Sequence, residues 1–199
     1  MYRVMDRRDY HARVAALPPG GAEATQRALT RAEGARALVL VEGFSDQIAV
    51  ETLAARYGRD LAGERIAVIP IGGAQAIRNF VARFPATQIV GLCDENEERL
   101  FRRALGNREF FVCHADLEDE LIRALGTEAV EAVLAEEGDA DAFRTFRKQP
   151  AWRGRPADDQ LHRFLGSAGR RKLRYARLLV DALDLDAVPA PLAAVLKRV

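Results

Sequence analysis

The sequence predicts an α/β protein, with a mainly parallel, Rossmann-like sheet flanked by helices and followed by a helical C-terminal region. Two observations lead to this prediction. Up to residue 113, short apolar runs alternate with segments of helical spacing, and the runs end in glycines or acids. Beyond residue 115, glycines and prolines separate segments that all have helical spacing. Strands separated by whole helices are joined by right-handed crossovers and therefore lie parallel.

The first strand is the clearest, because Ala37 to Val41 form an uninterrupted apolar run that is typical of a strand buried on both faces. Glu42 and Gly43 end this run, and Ser45 is the predicted N-cap of the helix that follows. Apolar runs of the same kind predict three more strands. The four strands lie at about 37–42, 65–71, 88–93 and 109–113, and the helices between them at about 46–57, 74–84 and 97–105.

The rest of the chain is predicted to be helical. Residues 1–33 carry little signal beyond a break at Pro18 to Gly21 and a helix over about 22–33. The C-terminal helices are predicted at about 117–125, 127–137, 140–148, 157–165, 168–184 and 190–197. We divide the chain into an N-terminal helical extension over 1–35, an α/β domain over 36–126 and a helical region over 127–199.

The composition is that of a soluble protein with a sizeable core. Of the 199 residues, 49% are hydrophobic and 30% are charged, and no apolar run approaches the roughly 20 residues that cross a bilayer. The N-terminus lacks the apolar stretch of a signal peptide, so we expect a cytoplasmic protein with no membrane partner. Cys93 and Cys113 lack metal or redox spacing and are predicted to be buried thiols.

The net charge of +1 conceals two segments of opposite sign. Residues 94–141 contain 15 acidic residues against five arginines, whereas residues 144–177 contain 11 basic residues against Asp158 and Asp159. A basic segment beside an acidic one is consistent with a phosphate-binding surface next to a metal site. Charge alone equally permits the alternative that solvated basic helices pair with acidic neighbours.

Three groups of acids follow predicted strands and are expected to converge. The carboxyl ends of neighbouring parallel strands lie about 4.8 Å apart at one edge of the sheet. Acids gathered there repel each other unless a divalent cation neutralises them, and Mg²⁺ or Mn²⁺ suits so many oxygen ligands. Such a metal commonly acts on phosphates. The three groups are Glu42 with Asp46, Asp94 with Glu95, Asn96 and Glu97, and Asp116 with Glu118.

These groups resemble the motifs of the TOPRIM domain, the metal-binding module of topoisomerases, primases and OLD-family nucleases. The order and spacing of the matching segments resemble the OLD branch, whose helical C-terminus supplies a lysine to the site. Either Asp116 or Glu118 is the acid of the later motif, and the resemblance favours Glu118. The matching segments are Glu42 to Asp46, Ile71 to Gly73, Asp94 to Asn96, Ala115 to Glu118 and Gly169 to Lys172.

The resemblance implies a DNA endonuclease that hydrolyses phosphodiester bonds with one or two Mg²⁺ or Mn²⁺ ions. Glu42 would also act as general base, and Lys172, from the helical region that completes the site, would offset charge in the transition state. The basic helices would contact the DNA backbone without sequence preference. The implied metal ligands are Glu42, Asp46, Asp94, Asn96 and Glu118, and the implied DNA-binding residues are Arg153, Arg155, Arg170, Arg171 and Arg174.

Two features depart from the OLD pattern. Asn96 stands where the family has the second Asp of its Asp-x-Asp motif, so one charge is missing unless Glu95 or Glu97 compensates. The sequence contains no G-x-x-x-x-G-K-[ST] segment, the phosphate-binding loop of an ATPase. The chain is therefore a stand-alone TOPRIM protein, a fragment of a longer one, or a subunit whose partner is a separate ATPase.

Two other functions stay open at this stage. One is a non-catalytic module that binds nucleic acid or a protein partner on a degenerate TOPRIM fold, and Asn96 favours it. The other is a nucleotidyl transferase or phosphohydrolase that uses the same metal site.

Overall fold

The computed structural model describes residues 29–72, 77–85 and 87–199. Most of the helix predicted over 22–33 lies outside the described residues, although residues 29–32 are helical. Gly73 of the predicted glycine turn also lies outside them. Within the described part of the chain, no helix has the length and apolar character that crossing a membrane requires.

The centre of the fold is a four-stranded sheet in which every neighbouring pair of strands is parallel. Its spatial order is β2-β1-β3-β4, so the first strand lies inside the sheet between the second and the third. Ala37 on β1 pairs with Ile66 on one side and with Gln88 on the other. The predicted α/β class and parallel sheet are confirmed. The strands are β1 (Ala37–Val41), β2 (Ile66–Pro70), β3 (Gln88–Asp94) and β4 (Phe110–Cys113).

In the described residues, nine α-helices follow the helical residues 29–32, together with two 3₁₀ turns, Glu95–Glu97 and Leu185–Ala187. Their bounds agree with the predicted ones to within two residues, except for α2, whose predicted start lies outside the described residues. The helices are α1 (Phe44–Arg56), α2 (Ile77–Arg83), α3 (Glu98–Leu105), α4 (Leu117–Leu125), α5 (Thr127–Glu136), α6 (Ala140–Arg147), α7 (Ala157–Gly166), α8 (Gly169–Ala182) and α9 (Ala190–Arg198).

The predicted N-cap of α1 is wrong by two residues. Gly43 is the N-cap, and Ser45 lies buried in the first turn. The Gly43 backbone N–H donates to Asp46 Oδ2 at 2.8 Å, so an acid of the first turn reaches back to the start of its own helix. The physical reason is that this carboxylate satisfies an otherwise unpaired N–H, and a serine hydroxyl is then not needed.

The strand β1 is fully buried because it has a hydrophobic layer on each face. Val39 and Val41 pack in the same cluster as α1, α4 and the C-terminal helices, whereas Leu38 and Leu40 pack with α2 and α3. Leu179 of α8 belongs to the first of these clusters. The change near residue 126 is thus a change of secondary structure, while the hydrophobic core continues across it.

Two arginines of the α1 region fix the C-terminal helices in place. Arg56 Nη1 donates to the backbone oxygens of Val180 and Leu183, both at 2.7 Å, and so satisfies carbonyl groups at the end of α8. Arg59 Nη2 donates to the backbone oxygen of Val199 at 3.0 Å. Because α8 is held along α1, its first turn has a defined position relative to the carboxyl edge of the sheet.

Close packing around β3 depends on Gly91. A Cβ atom at this position would lie 2.9 Å from the side chains of Leu105, Phe101 and Phe110. Such a contact is too short, so α3 or β4 would have to move away from the sheet. Gly91 therefore permits the close approach of α3 that fills this side of the core.

We expect Gly91→Ala to lower the free energy of unfolding by about 1–3 kcal/mol, the usual cost of adding a methyl group to a filled core. Urea unfolding followed by circular dichroism measures this change. Gly166→Ala at the end of α7 is the matched control, because a Cβ there meets nothing within 4 Å. Equal stability of Gly91→Ala and the wild type would show that α3 does not pack this tightly.

Candidate metal centre

The ends of β1 and β3 are joined through Glu42. Its Oε1 accepts a hydrogen bond from the Asp94 backbone N–H at 2.7 Å. Asp94 is paired in turn with Cys113 at the end of β4. The glycine turn after β2 lies beside the same point, since the Gly72 N–H donates to the backbone oxygen of Glu42 at 3.0 Å. The structure therefore brings the carboxyl ends of all four strands together, as their parallel arrangement predicted.

The acid after β4 lies opposite the predicted lysine. Glu118 is buried, with only 7% of its side chain exposed, and its Oε2 is 3.1 Å from Lys172 Nζ in the first turn of α8. A carboxylate from α4 and an ammonium group from α8 thus meet across 54 residues of sequence. Both residues were predicted as parts of one site, and the structure places them in contact.

The acids of this edge act on each other electrostatically. Burial raises the pKa of Asp94 to about 8, and the charges of Glu42, Asp46, Asp116 and Glu118 add to this rise. Burial also raises the pKa values of Asp46 and Glu118, each to about 6, and raises that of Glu42. Because these carboxylates raise each other's pKa, they form one electrostatic unit in which full ionisation is costly near neutral pH.

Lys172 is the cation that partly neutralises this unit. Burial alone would lower its pKa, but the charges of Glu118, Asp46 and Asp116 outweigh burial and raise it above the usual value. Lys172 therefore stays protonated beside the acids. Its side chain is 38% exposed, so the ammonium group is also accessible from solvent.

Sequence reasoning missed His162, which belongs to the same edge. His162 Nε2, on α7, lies 2.6 Å from Asp116 Oδ2, and Asp116 Oδ1 accepts the Asp119 N–H at 2.9 Å as the N-cap of α4. Asp116 is thus held by a histidine and by its own helix, whereas Glu118 contacts Lys172. A lone histidine on α7 has no spacing that would have pointed to this contact.

Opposite charges stabilise the contact between His162 and Asp116. The hydrogen bond to Asp116 raises the pKa of His162. Burial alone would raise the pKa of Asp116, but hydrogen bonds from His162 and from the Asp119 N–H lower it. Ionised Asp116 beside protonated His162 is therefore the favoured form in mildly acidic solution.

Asn96 lies outside this network. Its side chain is exposed and makes no hydrogen bond among the described residues. Of the two acids beside it, Glu95 accepts the Ala115 N–H at 3.3 Å through Oε2. Glu97 Oε2 is buried and has no hydrogen-bond partner in the described part of the chain. The turn after β3 therefore carries one exposed amide and one buried, unsatisfied carboxylate oxygen.

The chemistry of these side chains fits a hard divalent cation. The donors are carboxylate oxygens, and an unsatisfied buried oxygen is among them. Three of the other acids are held by a protein donor, namely Asp94 N–H for Glu42, Gly43 N–H for Asp46 and Lys172 for Glu118. Accordingly, across residues 29–72, 77–85 and 87–199, no three His, Cys, Asp or Glu side chains are grouped closely enough to hold a metal.

The five predicted DNA-binding arginines fall into two groups. Arg153, Arg155 and Arg170 are exposed, and their side chains form no ion pair among the described residues. Arg171 stacks over the Phe164 ring at 4.0 Å and donates to Ser167, while remaining partly accessible. Arg174 is ion-paired with two acids of the negative segment, so the alternative that basic helices pair with acidic neighbours applies to it. Its partners are Glu137 and Asp139.

The parallel sheet with acids at its carboxyl edge is similar to a TOPRIM-type domain. Residues 35–92 match the family model described as "Overcoming lysogenization defect protein-like, TOPRIM domain". This segment is thus a TOPRIM domain of the OLD-like family, and the predicted OLD-like TOPRIM protein is confirmed. No curated protein matches the chain.

Solved structures of the same fold extend the similarity to the helical region. One is the C-terminal region of the Burkholderia pseudomallei OLD protein, with a TM-score of 0.61 and 19% identity, covering 83% of this chain and 97% of that one. Another is the C-terminal region of the Xanthomonas campestris pv. campestris OLD protein, with a TM-score of 0.61 and 22% identity. The second match covers 82% of this chain and 91% of that one. At these identities the similarity is one of fold.

Replacing Asp94 should reveal how much stability the folded protein loses by gathering these acids at one edge of the sheet. The pKa of Asp94 is about 8 in the folded chain but about 3.9 when unfolded, so the folded state binds more protons between these values and loses stability as pH rises through them. We expect metal-free Asp94→Asn to be more stable than the wild type at pH 8 by about 1 kcal/mol or more, or about 2–4 °C in Tm.

The gain of Asp94→Asn should shrink at pH 5, where the wild-type carboxyl group is already protonated. Thermal unfolding in EDTA at the two pH values measures both gains. Glu136→Gln, an exposed acid on α5, is the matched control and should change Tm little at either pH. An equal gain for Asp94→Asn at both pH values would contradict the raised pKa.

The pair of His162 and Asp116 predicts the opposite kind of pH dependence. The ion pair contributes fully to the free energy of unfolding between the unfolded pKa values, which are about 3.9 for Asp and 6.5 for His. This contribution is lost as pH rises through the raised pKa of His162. We expect His162→Gln, whose amide can still donate to Asp116, to lower stability by up to about 1 kcal/mol at pH 5.5 and by much less at pH 9.

Chemical denaturation at the two pH values measures the effect of His162→Gln. The matched control is His114→Gln, because the His114 side chain is exposed and makes no hydrogen bond in the described residues. A loss for His162→Gln that is as large at pH 9 as at pH 5.5 would mean that packing, and not charge, explains it.

Proposed function

We propose that the protein is a divalent-metal-dependent nuclease that hydrolyses phosphodiester bonds in DNA. The observation that supports this most directly is the group of partly or fully buried acids at the carboxyl edge of the sheet, with Lys172 beside Glu118. Open α/β sheets bind their ligands at this edge. The membership of residues 35–92 in a TOPRIM family of the nuclease type supports the same function.

The residues that would hold Mg²⁺ or Mn²⁺ are the acids from three elements of the edge. A divalent cation bound there would supply the positive charge that lets these acids ionise together near a phosphate group. To ligate it, Asp46 would exchange its hydrogen bond from the Gly43 N–H for a metal contact. These acids are Glu42 and Asp46 around the start of α1, Asp94 at the end of β3 and Glu118 on α4.

Glu42 is the best-placed proton acceptor. Burial raises its pKa from the usual value of a glutamate, and this brings its proton affinity closer to neutral pH, where a general base is most effective. The Asp94 N–H fixes the orientation of the carboxylate by its bond to Oε1. Oε2 makes no hydrogen bond among the described residues, and it is the oxygen that would receive a proton from an attacking water.

Lys172 would stabilise the charge that develops on the phosphate. Its ammonium group is protonated, partly exposed and held beside Glu118 at 3.1 Å. When a cation neutralises Glu118, Lys172 becomes available to a phosphate oxygen without any change in the backbone. A fixed ammonium group in a partly desolvated site stabilises such charge more strongly than it would in water.

The exposed arginines next to α7 and α8 support a DNA substrate. Arg153, Arg155 and Arg170 are accessible and have no acidic partner in the described residues, so they are free to contact phosphates. Contacts of this kind give affinity without reading the base sequence. We leave Arg174 out of this surface, because Glu137 and Asp139 already neutralise it.

A second candidate is a non-catalytic nucleic-acid-binding module on the same fold. The exposure of Asn96 favours it, since an amide away from the acids adds neither charge nor a ligand to the centre. Such a module would keep the basic surface and bind DNA without cleaving it.

Nicking of supercoiled plasmid in Mg²⁺, Mn²⁺ and EDTA tests the proposal. We expect metal-dependent nicking that falls by about 100-fold or more in Glu42→Gln and Lys172→Gln, the range typical of lost acid–base and electrostatic catalysis. Glu136→Gln makes the same change of charge away from the site and should nick like the wild type.

Other outcomes of the nicking assay separate the alternatives. Gel-shift binding of DNA that persists without cleavage in either metal would contradict the nuclease and support the binding module. Release of phosphate from nucleotides without plasmid nicking would instead indicate a phosphohydrolase.

A further inference from the structure

We propose that Glu97, three residues beyond Asp94, takes the place of the acid that Asn96 lacks and is a ligand of the divalent cation. This inference rests on the proposed metal centre and deepens it. It assigns to this chain a ligand at a position other than the second Asp of the Asp-x-Asp motif.

The first observation is the unsatisfied oxygen of Glu97. Its Oε2 is buried and has no hydrogen-bond partner among the described residues. A carboxylate oxygen that loses water without gaining a donor costs free energy, so native proteins rarely leave one without a partner. A cation at this point would supply the missing interaction.

The second observation is the effect of the Glu97 charge on its neighbours. Burial is the main cause of the raised pKa of Glu42, and the Asp94 N–H opposes it, but Glu97 is the largest contributor among the neighbouring charges. The charge of Glu97 also contributes to the raised pKa of Cys93 at the end of β3. Glu97 is thus close enough to Glu42 for the two negative charges to repel each other.

The backbone of the turn after β3 explains why Glu97, and not Asn96, is the better placed of the two side chains. Asp94 is the N-cap of a 3₁₀ turn formed by Glu95–Glu97. A 3₁₀ helix has three residues per turn, so side chains at positions i and i+3 lie above one another. Asp94 and Glu97 are related in this way. In an extended segment, positions i and i+2 share a side, and Asn96 would then have been the neighbour of Asp94.

The other acids of the turn are already engaged. Glu95 accepts the Ala115 N–H, and Glu98 forms an ion pair with Arg102. Glu97 forms no ion pair in the described part of the chain. Of the acids from Glu95 to Glu98, Glu97 is thus the one with an oxygen available for a new ligand.

The class of cation follows from the same neighbours. Carboxylate oxygens suit Mg²⁺ and Mn²⁺. Cys93 is the nearest soft donor in sequence, but burial raises the pKa of its thiol to about 12, so it does not supply a thiolate. A site with oxygen donors and no thiolate disfavours zinc and copper.

Binding of Mn²⁺ to the metal-free protein, followed by the electron paramagnetic resonance signal of free Mn²⁺, tests the assignment directly. We expect Glu97→Gln to weaken Mn²⁺ binding about tenfold or more, as the loss of a charged ligand does, and Glu97→Asp to weaken it less. Asn96→Ala and Glu95→Gln are the matched controls and should change the affinity by less than about threefold. Circular dichroism and the Tm in EDTA check that each variant is folded.

Three results would overturn the assignment. They are wild-type affinity in both Glu97 variants, a tenfold loss in Asn96→Ala, and no Mn²⁺ binding by the wild-type protein at millimolar concentrations. The plasmid assay distinguishes a failure of the ligand proposal from a failure of the nuclease proposal. Mn²⁺ binding that depends on Glu97 without nicking supports the ligand and contradicts the nuclease, whereas nicking with unchanged affinity in Glu97→Gln contradicts the ligand alone.

Discussion

Mutual repulsion among acids at one edge of a parallel sheet is the constraint on which the rest of this structure depends. The strands run in one direction, so the residues that follow them are all delivered to the same edge. Acids that follow β1, end β3 and lie on α4 are partly or fully buried there, and the pKa of Asp94 rises to about 8 as a result. A fold that gathers charge in this way must balance it, through protonation, through internal donors or through a bound cation.

The helical region supplies part of that balance. Helix α8 brings Lys172 to Glu118, and α7 brings His162 to Asp116. Both helices belong to the hydrophobic cluster that covers one face of β1, and Arg56 anchors the end of α8. Side chains of the acidic segment 94–141 and of the basic segment 144–177 therefore pair in space. Arg174, paired with Glu137, shows the same relation away from the edge.

The parts of the fold that could be predicted are those in which a sequence pattern is typical of a single kind of secondary structure. A short apolar run such as Ala37–Val41, ended by an acid and a glycine, is typical of a strand buried on both faces. The strands were therefore found, and parallel strands then required their acids to converge. The order of the strands was not predicted, because it depends on which crossovers pass over which face of the sheet. His162 was missed because its role depends on the packing of α7 against α4, which leaves no periodic pattern in the sequence.

The turn after β3 illustrates where motif reasoning reaches its limit. A motif compares residues by their spacing in sequence, whereas a metal centre depends on where oxygens lie in space. The same four residues, Asp94 to Glu97, present Asn96 beside Asp94 if the backbone is extended and Glu97 beside Asp94 if it forms a 3₁₀ turn. The sequence does not distinguish these two backbones, since all four side chains are polar. On the second backbone, which this chain adopts, Asn96 is exposed and Glu97 stands three residues after Asp94, so the spacing of the motif does not decide which side chain lies nearest Glu42.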